Sequence, residues 1–317
     1  MAIKITPQQR RILAEVTWNA RTPVEAVART LRVKAHTVRH ALRQLHNAFE
    51  FTPVCWTHPY LLGEIPFRTF FRITGGSPQR VREFEKFIGS IPQVSWFVSL
   101  IGSYQYSVTI RAKGHLDFLE IADRIDARFG DIITDKSVSS IVQLSCFEPR
   151  FVESGSGPRK SFDYVATSDR LELSALDHGI LTFLRDKPLA SMQEIGRGVN
   201  ASATTVDYRF NRLITLGAIM GFAYSYDWSH IGDSEFLVSL STKGLGSRCY
   251  DKIFTFCAQH ANVMWLGRFI GHWDVELALS VHQASELEAF VQELHSTFRD
   301  EVAEIHIHTF GRLHRDR

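Results

Sequence analysis

The sequence predicts an α+β protein made of two copies of one unit. Each unit is a (winged) helix-turn-helix domain followed by a ferredoxin-like βαββαβ domain. Three observations carry that prediction: an internal repeat, three short amphipathic helices opening each copy, and a strand–helix–strand–strand–helix–strand order in the rest of each copy.

The repeat has an offset of about 168 residues. Ile12, Leu13 and Val16 match Ile180, Leu181 and Leu184, and Thr37, Val38, Leu42 and Leu45 match Thr205, Val206, Phe210 and Leu213. After one inserted residue, Val94, Trp96, Ile101 and Gly102 match Val263, Trp265, Ile270 and Gly271. Phe118, Ile121, Ile125 and Phe129 match Leu287, Phe290, Leu294 and Phe298. A period of domain length indicates tandem duplication rather than a solenoid. The expected domains are a first helix-turn-helix at 1–60, a first sensor and dimerisation domain at 61–150, a Gly/Ser/Pro-rich linker at 151–170, a second helix-turn-helix at 171–228 and a second sensor domain at 229–317.

The chain has 317 residues, enough for several cores, and 44% hydrophobic content suits a globular protein. Lys and Arg total 36 against 34 Asp and Glu, so any nucleic-acid reading has to come from local charge. The four cysteines, Cys55, Cys146, Cys249 and Cys257, form no close pairs and read as free thiols. No apolar run has membrane-spanning length and residues 1–10 carry no signal-peptide core, so a cytoplasmic location with no membrane partner is expected.

In copy 1, Thr6-Pro7 opens the first helix as cap and first helical position. Val24, Val27 and Leu31 mark a second helix, and Val38, Leu42 and Leu45 a third. Three short helices with tight turns frame a helix-turn-helix, whose last helix enters the major groove. The solvent face of that helix offers Lys34, His36, Thr37, Arg39, His40 and Arg43. Residues 1–50 hold nine Lys/Arg against three Glu, which concentrates positive charge where phosphates would lie. A basic helix face by itself is ordinarily just solvated. Joined to the three-helix pattern, it predicts contact with double-stranded DNA. In copy 2, Asp207 stands at the place of Arg39 and Asn211 at that of Arg43, and residues 171–220 carry five basic and five acidic side chains. Copy 2 is expected to contribute less, through Ser202, Thr204, Tyr208, Arg209 and Arg212, or to be structural.

Beyond each head, an aromatic strand near 67–74 is followed by a helix with Val81, Phe84, Phe87 and Ile88 on one face. Strands at Val94–Ile101 and Tyr104–Ala112 come next, the second with one alternating buried face. A helix through Phe118–Phe129 and a strand near Ile132–Leu144 complete the ferredoxin-like order. Copy 2 repeats it and ends in a strand at Val302–Phe310. The middle strands meet at Gly102-Ser103-Tyr104-Gln105 and Gly271-His272-Trp273-Asp274. Glycine there leaves backbone N–H groups open, and a polar turn with an aromatic suits a small zwitterion.

These residues together resemble the feast/famine (Lrp/AsnC) regulator family, nearly end to end and twice over. Ser202-Ala203-Thr204-Thr205-Val206, Arg209, Arg212-Leu213 and Gly217-Ala218-Ile219 carry the likeness in the second helix-turn-helix, and Gly271-His272-Trp273-Asp274 carries it in the sensor turn. The resemblance implies sequence-specific DNA binding for transcription regulation, sensor (RAM-type) domains that pair, an amino-acid-like effector at the sensor interface, and a homo-oligomer of pseudo-dimeric chains. The chain departs from the pattern in being duplicated, in having Ala48-Phe49 where the family has a glycine, and in having Gln105 at the place of Asp274.

The alternative reading is a tetrapyrrole enzyme like the sirohaem decarboxylases, which pair two such units. A third is a protein-binding scaffold. No P-loop, GxSxG or GxGxxG occurs, so no cofactor and no enzymatic activity are expected. His306 and His308 share one strand face but lack a third ligand by spacing, and a solvated edge is the simpler reading.

Overall fold

Thr6 accepts a hydrogen bond from the Gln9 N–H and Gln9 reaches back to the Thr6 N–H, so α1 (Pro7–Val16) starts from a capping box. α2 (Val24–Leu31) and α3 (Ala35–Phe49) follow, and Ile12, Leu13, Val16, Val27, Val38 and Leu45 close a core between the three. These positions come from a computed structural model, which describes residues 5–49, 51–149, 159, 161–225, 234–244 and 246–316. Copy 1 continues with β1 (Thr52–Thr57), β2 (Ile65–Ile73), α4 (Pro78–Ser90), β3 (Val94–Ile101), β4 (Tyr106–Ala112), α5 (His115–Phe129) and β5 (Ile133–Phe147).

Part of the expected linker, residues 151–158 and 160, lies outside the described residues. Its remainder holds β6 (Ser161–Val165), which pairs with the end of β5. Copy 2 then runs through α6 (Ala175–Asp186), α7 (Met192–Val199), α8 (Ala203–Thr215), β7 (Ile219–Ser225), β8 (Ser234–Thr242), α9 (Ser247–Gln259), β9 (Val263–Ile270), β10 (Val275–Val281), α10 (Ala284–Thr297) and β11 (Val302–Asp316). The predicted fold class holds: each copy is a winged helix-turn-helix followed by a ferredoxin-like sheet with two helices.

The two sheets join into one. The order β2-β4-β3-β11-β8-β10-β9-β5 closes on itself through a β2–β5 pairing and leaves β6 on the flank. The long strands make the closure. The first part of β5 pairs with β2 of its own copy and the last part with β9 of the other. β11 does the same with β8 and then β3. That is why β11 runs to Asp316 and not, as expected, only to Phe310: its continuation finds a partner in β3, more than 200 residues earlier in the chain.

The helices pack outside the ring. Phe84, Ile88, Val108, Ile110, Ile121 and Phe129 form the core of copy 1, and Ile253, Cys257, Leu277, Leu279, Phe290 and Leu294 that of copy 2. The inner faces make a third core shared by both copies, with Phe70, Val98, Leu100, Tyr104, Leu237 and Trp273. On β4 the predicted alternation is real, yet Ser107 and Thr109 on its other face are buried too, because that face lines the ring.

The heads are also tied together. β1 and β7 form a two-stranded antiparallel sheet across the copies. Arg21 of copy 1 donates to Pro188 O at 2.6 Å and Ala190 O at 2.8 Å in copy 2, and its guanidinium lies 5.0 Å from the Phe222 ring. All four cysteines are free, and Cys55, Cys146 and Cys257 are buried. Among the described residues, no helix is long and apolar enough to cross a membrane.

Candidate nucleic-acid interface and sensor turns

On α3 the apolar positions Val38, Ala41 and Leu45 face the head core, which turns the intervening side chains outward. Lys34, His36, Arg39, His40 and Arg43 are exposed, and Thr37 is half-buried. Arg39 forms an ion pair with Glu25 on α2, and both side chains are solvated. His36, Arg39, His40 and Arg43 thus stand together on one open face of α3, with Lys34 just before its first residue.

Copy 2 uses its arginines differently. Asp177, at the third position of α6, is almost fully buried. Its Oδ2 accepts from the Ser174 N–H at 2.9 Å and the Ser174 hydroxyl at 2.7 Å. Arg209 and Arg212 reach the same oxygen from α8 at 3.4 and 3.6 Å. Burial pushes the Asp177 carboxyl up, but these hydrogen bonds and the two guanidiniums together hold it below its ordinary value. Ser202 is spent capping α8, accepting from the Thr205 N–H at 3.1 Å. Thr204, Asp207, Tyr208 and Asn211 are left exposed. Sequence spacing put Arg209 and Arg212 on the reading helix and had no means of showing that a carboxylate 32 residues away from Arg209 binds them.

The two glycine turns, Gly102–Gln105 and Gly271–Asp274, approach each other. Gly102 and Gly271 both adopt φ +149°, a region that favours glycine. A Cβ on Gly102 would lie 2.6 Å from His308 Cδ2, and one on Gly271 would lie 2.5 Å from Ser139 Oγ. His308 and Ser139 are repeat equivalents, so each turn is seated on the long strand of the other copy. Ser103 Oγ lies 2.8 Å from His308 Nε2, and the His272 N–H donates to Ser139 Oγ at 2.9 Å. Tyr104 and Trp273 are buried, and the rings of Tyr104 and His272 approach edge-on at 6.2 Å.

The last residue of each turn is spent on the protein itself. Gln105 accepts from the Ile73 N–H at 2.8 Å, and Asp274 accepts from the Thr242 N–H at 2.7 Å and the Thr242 hydroxyl at 2.9 Å. His308 corrects the expectation of a solvated edge. It is buried beneath the first turn, and burial, with His306 nearby, lowers its pKa. Among the described residues, no cluster of three metal-ligating side chains forms.

A family model for winged helix-turn-helix DNA-binding domains matches residues 173–220. The chain is similar to an uncharacterized HTH-type transcriptional regulator of Pyrococcus abyssi, 29% identical over 130 residues, covering 41% of this chain and 80% of that protein. A counterpart from Pyrococcus horikoshii is 29% identical over 129 residues, with the same coverage. Over its whole length the fold is similar to that of the siroheme decarboxylase NirDL, with a TM-score of 0.62 and 11% identity, covering 98% of this chain and 92% of that one. This corrects the expectation that the chain is no enzyme: the two-copy architecture from which a regulator was read is, in that protein, an enzyme's. The chain is thus a tandem pair of winged helix-turn-helix and ferredoxin-like units, with a DNA-binding-type head at 173–220 and the likeness to feast/famine regulators that its residues carry.

Proposed function

We propose that this protein is a sequence-specific DNA-binding transcriptional regulator that reads DNA mainly with α3 of copy 1. One observation carries the reading: Lys34, Arg39 and Arg43 stand exposed at the start and along the open side of α3, with His36 and His40 among them, while the equivalent helix of copy 2 has its arginines paired inward to Asp177. Cations on the exposed face of a third helix meet phosphates and guanine edges. Ser202, Thr204 and Tyr208 supply a weaker second contact, and Thr37 lies at the start of the reading helix. Fusing two units in one chain removes the concentration dependence of their pairing. Unequal heads call for an operator with one strong and one weak half-site. The same reading assigns control by an amino-acid-like effector to the facing turns; the exposure of Ser103 and His272 beside the glycine backbones supports it.

The test is selection of bound DNA from a random pool, with affinity followed against salt. A site is expected to be enriched, and Arg39→Ala/Arg43→Ala is expected to flatten the salt slope by about one unit per lost phosphate contact. No enrichment, with wild type and variant alike, would overturn the reading.

The full-length fold likeness favours a second reading, action on a tetrapyrrole. A complex of that decarboxylase with an iron-uroporphyrin III analogue supplies the probe. A saturable shift in the absorbance of iron-uroporphyrin III on adding the chain, with release of carbon dioxide from sirohaem, would establish it.

A further inference from the structure

Where the barrel meets the paired wings there is a cavity of about 190 Å³. Trp96, Trp265 and Phe310 wall it from the barrel, and Trp18, Trp56 and Tyr224 from the heads. Two arginines line it, Arg68 of β2 and Arg111 of β4, together with the acids Glu235 and Asp316. Arg111 donates to the Thr57 hydroxyl and Asp316 accepts from the Ser225 hydroxyl, while Arg68 is only 3% exposed. Its guanidinium lies 4.2 Å from the Trp96 ring and 5.2 Å from the Trp265 ring. Nε is 3.3 Å from Glu276 Oε2 but out of line for a hydrogen bond. Neither Nε nor Nη1 finds an acceptor, and neither Glu276 oxygen a donor, among the described residues.

A buried ion pair with its hydrogen bonds unmade is costly, so it needs a reason. The duplication provides an internal control. The repeat equivalent of Arg68 is Leu237 and that of Glu276 is Ser107, both also buried in the ring. Half of this barrel therefore does without either charge. The fold has no need of the pair, and what it leaves on offer is open guanidinium N–H groups at the wall of an aromatic cavity.

We propose that this cavity binds one small aromatic carboxylate per chain, its acid group on Arg68 and its ring among the tryptophans. Charged guanidinium–carboxylate hydrogen bonds are strong, and they are the bonds Arg68 lacks. An apolar cavity of about 150 Å³ holds benzene, so this one has room for a ring and a short acid. It has no room for the four pyrrole rings of a tetrapyrrole. Glu276 lets the charge balance. It sits between Ser239 of β8 and Gly267 of β9, and Arg68 is the charged group that faces it. Burial pushes it up to about 7, so it takes a proton when an anion claims Arg68. Because Trp18, Trp56 and Tyr224 belong to the heads, the occupant touches both heads and barrel. That regulatory consequence rests on the DNA-binding reading above; the binding itself does not.

The experiment is calorimetric titration of the full chain, without DNA, with phenylacetate and with its neutral analogue phenylacetamide. Saturable binding of phenylacetate at one per chain is expected, at least about tenfold tighter than phenylacetamide and weakening by up to about tenfold per pH unit above 7. Arg68→Leu/Glu276→Ser writes the other half's residues into the site. This variant is expected to keep its far-ultraviolet spectrum and lose the binding. No saturation, equal affinity for acid and amide, or unchanged binding by the folded double variant would each overturn the proposal. Repeating the DNA titration with phenylacetate at saturation tests the regulatory link separately.

Discussion

The two heads share a fold and differ in where they keep their charge. In copy 2, Asp177 draws Arg209 and Arg212 toward the head's interior. In copy 1 the equivalent places hold Gln9, Ala41 and Gln44, and the contact between α1 and α3 is an amide pair at 3.4 Å. Copy 1 instead carries Arg39 and Arg43 on the outside. The barrel shows the same division, with Arg68 and Glu276 in one diagonal and Leu237 and Ser107 in the other. The fold thus tolerates either choice at each site, so a charge present in only one copy is not a requirement of the fold that both copies share.

The largest test of that asymmetry is in the barrel. Arg68→Met strands the buried Glu276 and is expected to cost about 3–5 kcal/mol of unfolding free energy. Leu237→Met at the equivalent place conserves volume and is expected to cost less than about 1.5 kcal/mol. Denaturant titration of both variants decides it. Equal losses would mean that Arg68 is held by packing alone.

Next comes the ion cluster of copy 2. Asp177→Asn keeps the shape of the cap and removes the charge, and is expected to cost about 1–2 kcal/mol at neutral pH, since both arginines are partly exposed. The Asp177 pKa is lowered in the fold, so the stability it contributes is complete above the unfolded carboxyl's range and is lost as pH falls through the folded value. The gap between wild type and variant should therefore close on acidification. The same variant frees two arginines beside the exposed end of α8, and its DNA-binding salt slope should steepen by about one unit per new phosphate contact. Stability lost with the slope unmoved would show that copy 2 stays away from DNA.

Much of this was legible in the sequence for a physical reason. Repeated apolar spacing reports local burial, and it located both heads, both sensor cores and the matched Trp96 and Trp265, whose rings meet at 6.3 Å. What it missed depends on partners far along the chain. Ser107, Thr109 and Arg68 sit at alternate strand positions that read as solvent-facing, and only ring closure by the second copy buries them. His308 read as an edge residue because the turn that covers it, Gly102-Ser103, comes 205 residues earlier. A signal for Arg68 was present all the same: a charge whose repeat partner is leucine.

The smallest expected effect isolates backbone from charge. Arg32 and Asn200 are equivalent residues that end the second helix of each head, both left-handed, at φ 55° and 54°. Asparagine occupies that region at lower cost than arginine, because its short polar side chain can hydrogen-bond the local backbone and offset the crowding of Cβ. Arg32→Asn is therefore expected to stabilise copy 1 by about 0.5–1 kcal/mol, and Asn200→Arg to destabilise copy 2 by a similar amount. Thermal unfolding of the two variants checks the opposite signs. Arginine at a strained turn next to the reading helix has a reason to persist if it meets phosphate, so Arg32→Asn should also weaken DNA binding while Asn200→Arg strengthens it. A gain in stability at Arg32 with no loss of DNA affinity would place the edge of the reading face inside the turn, at Lys34.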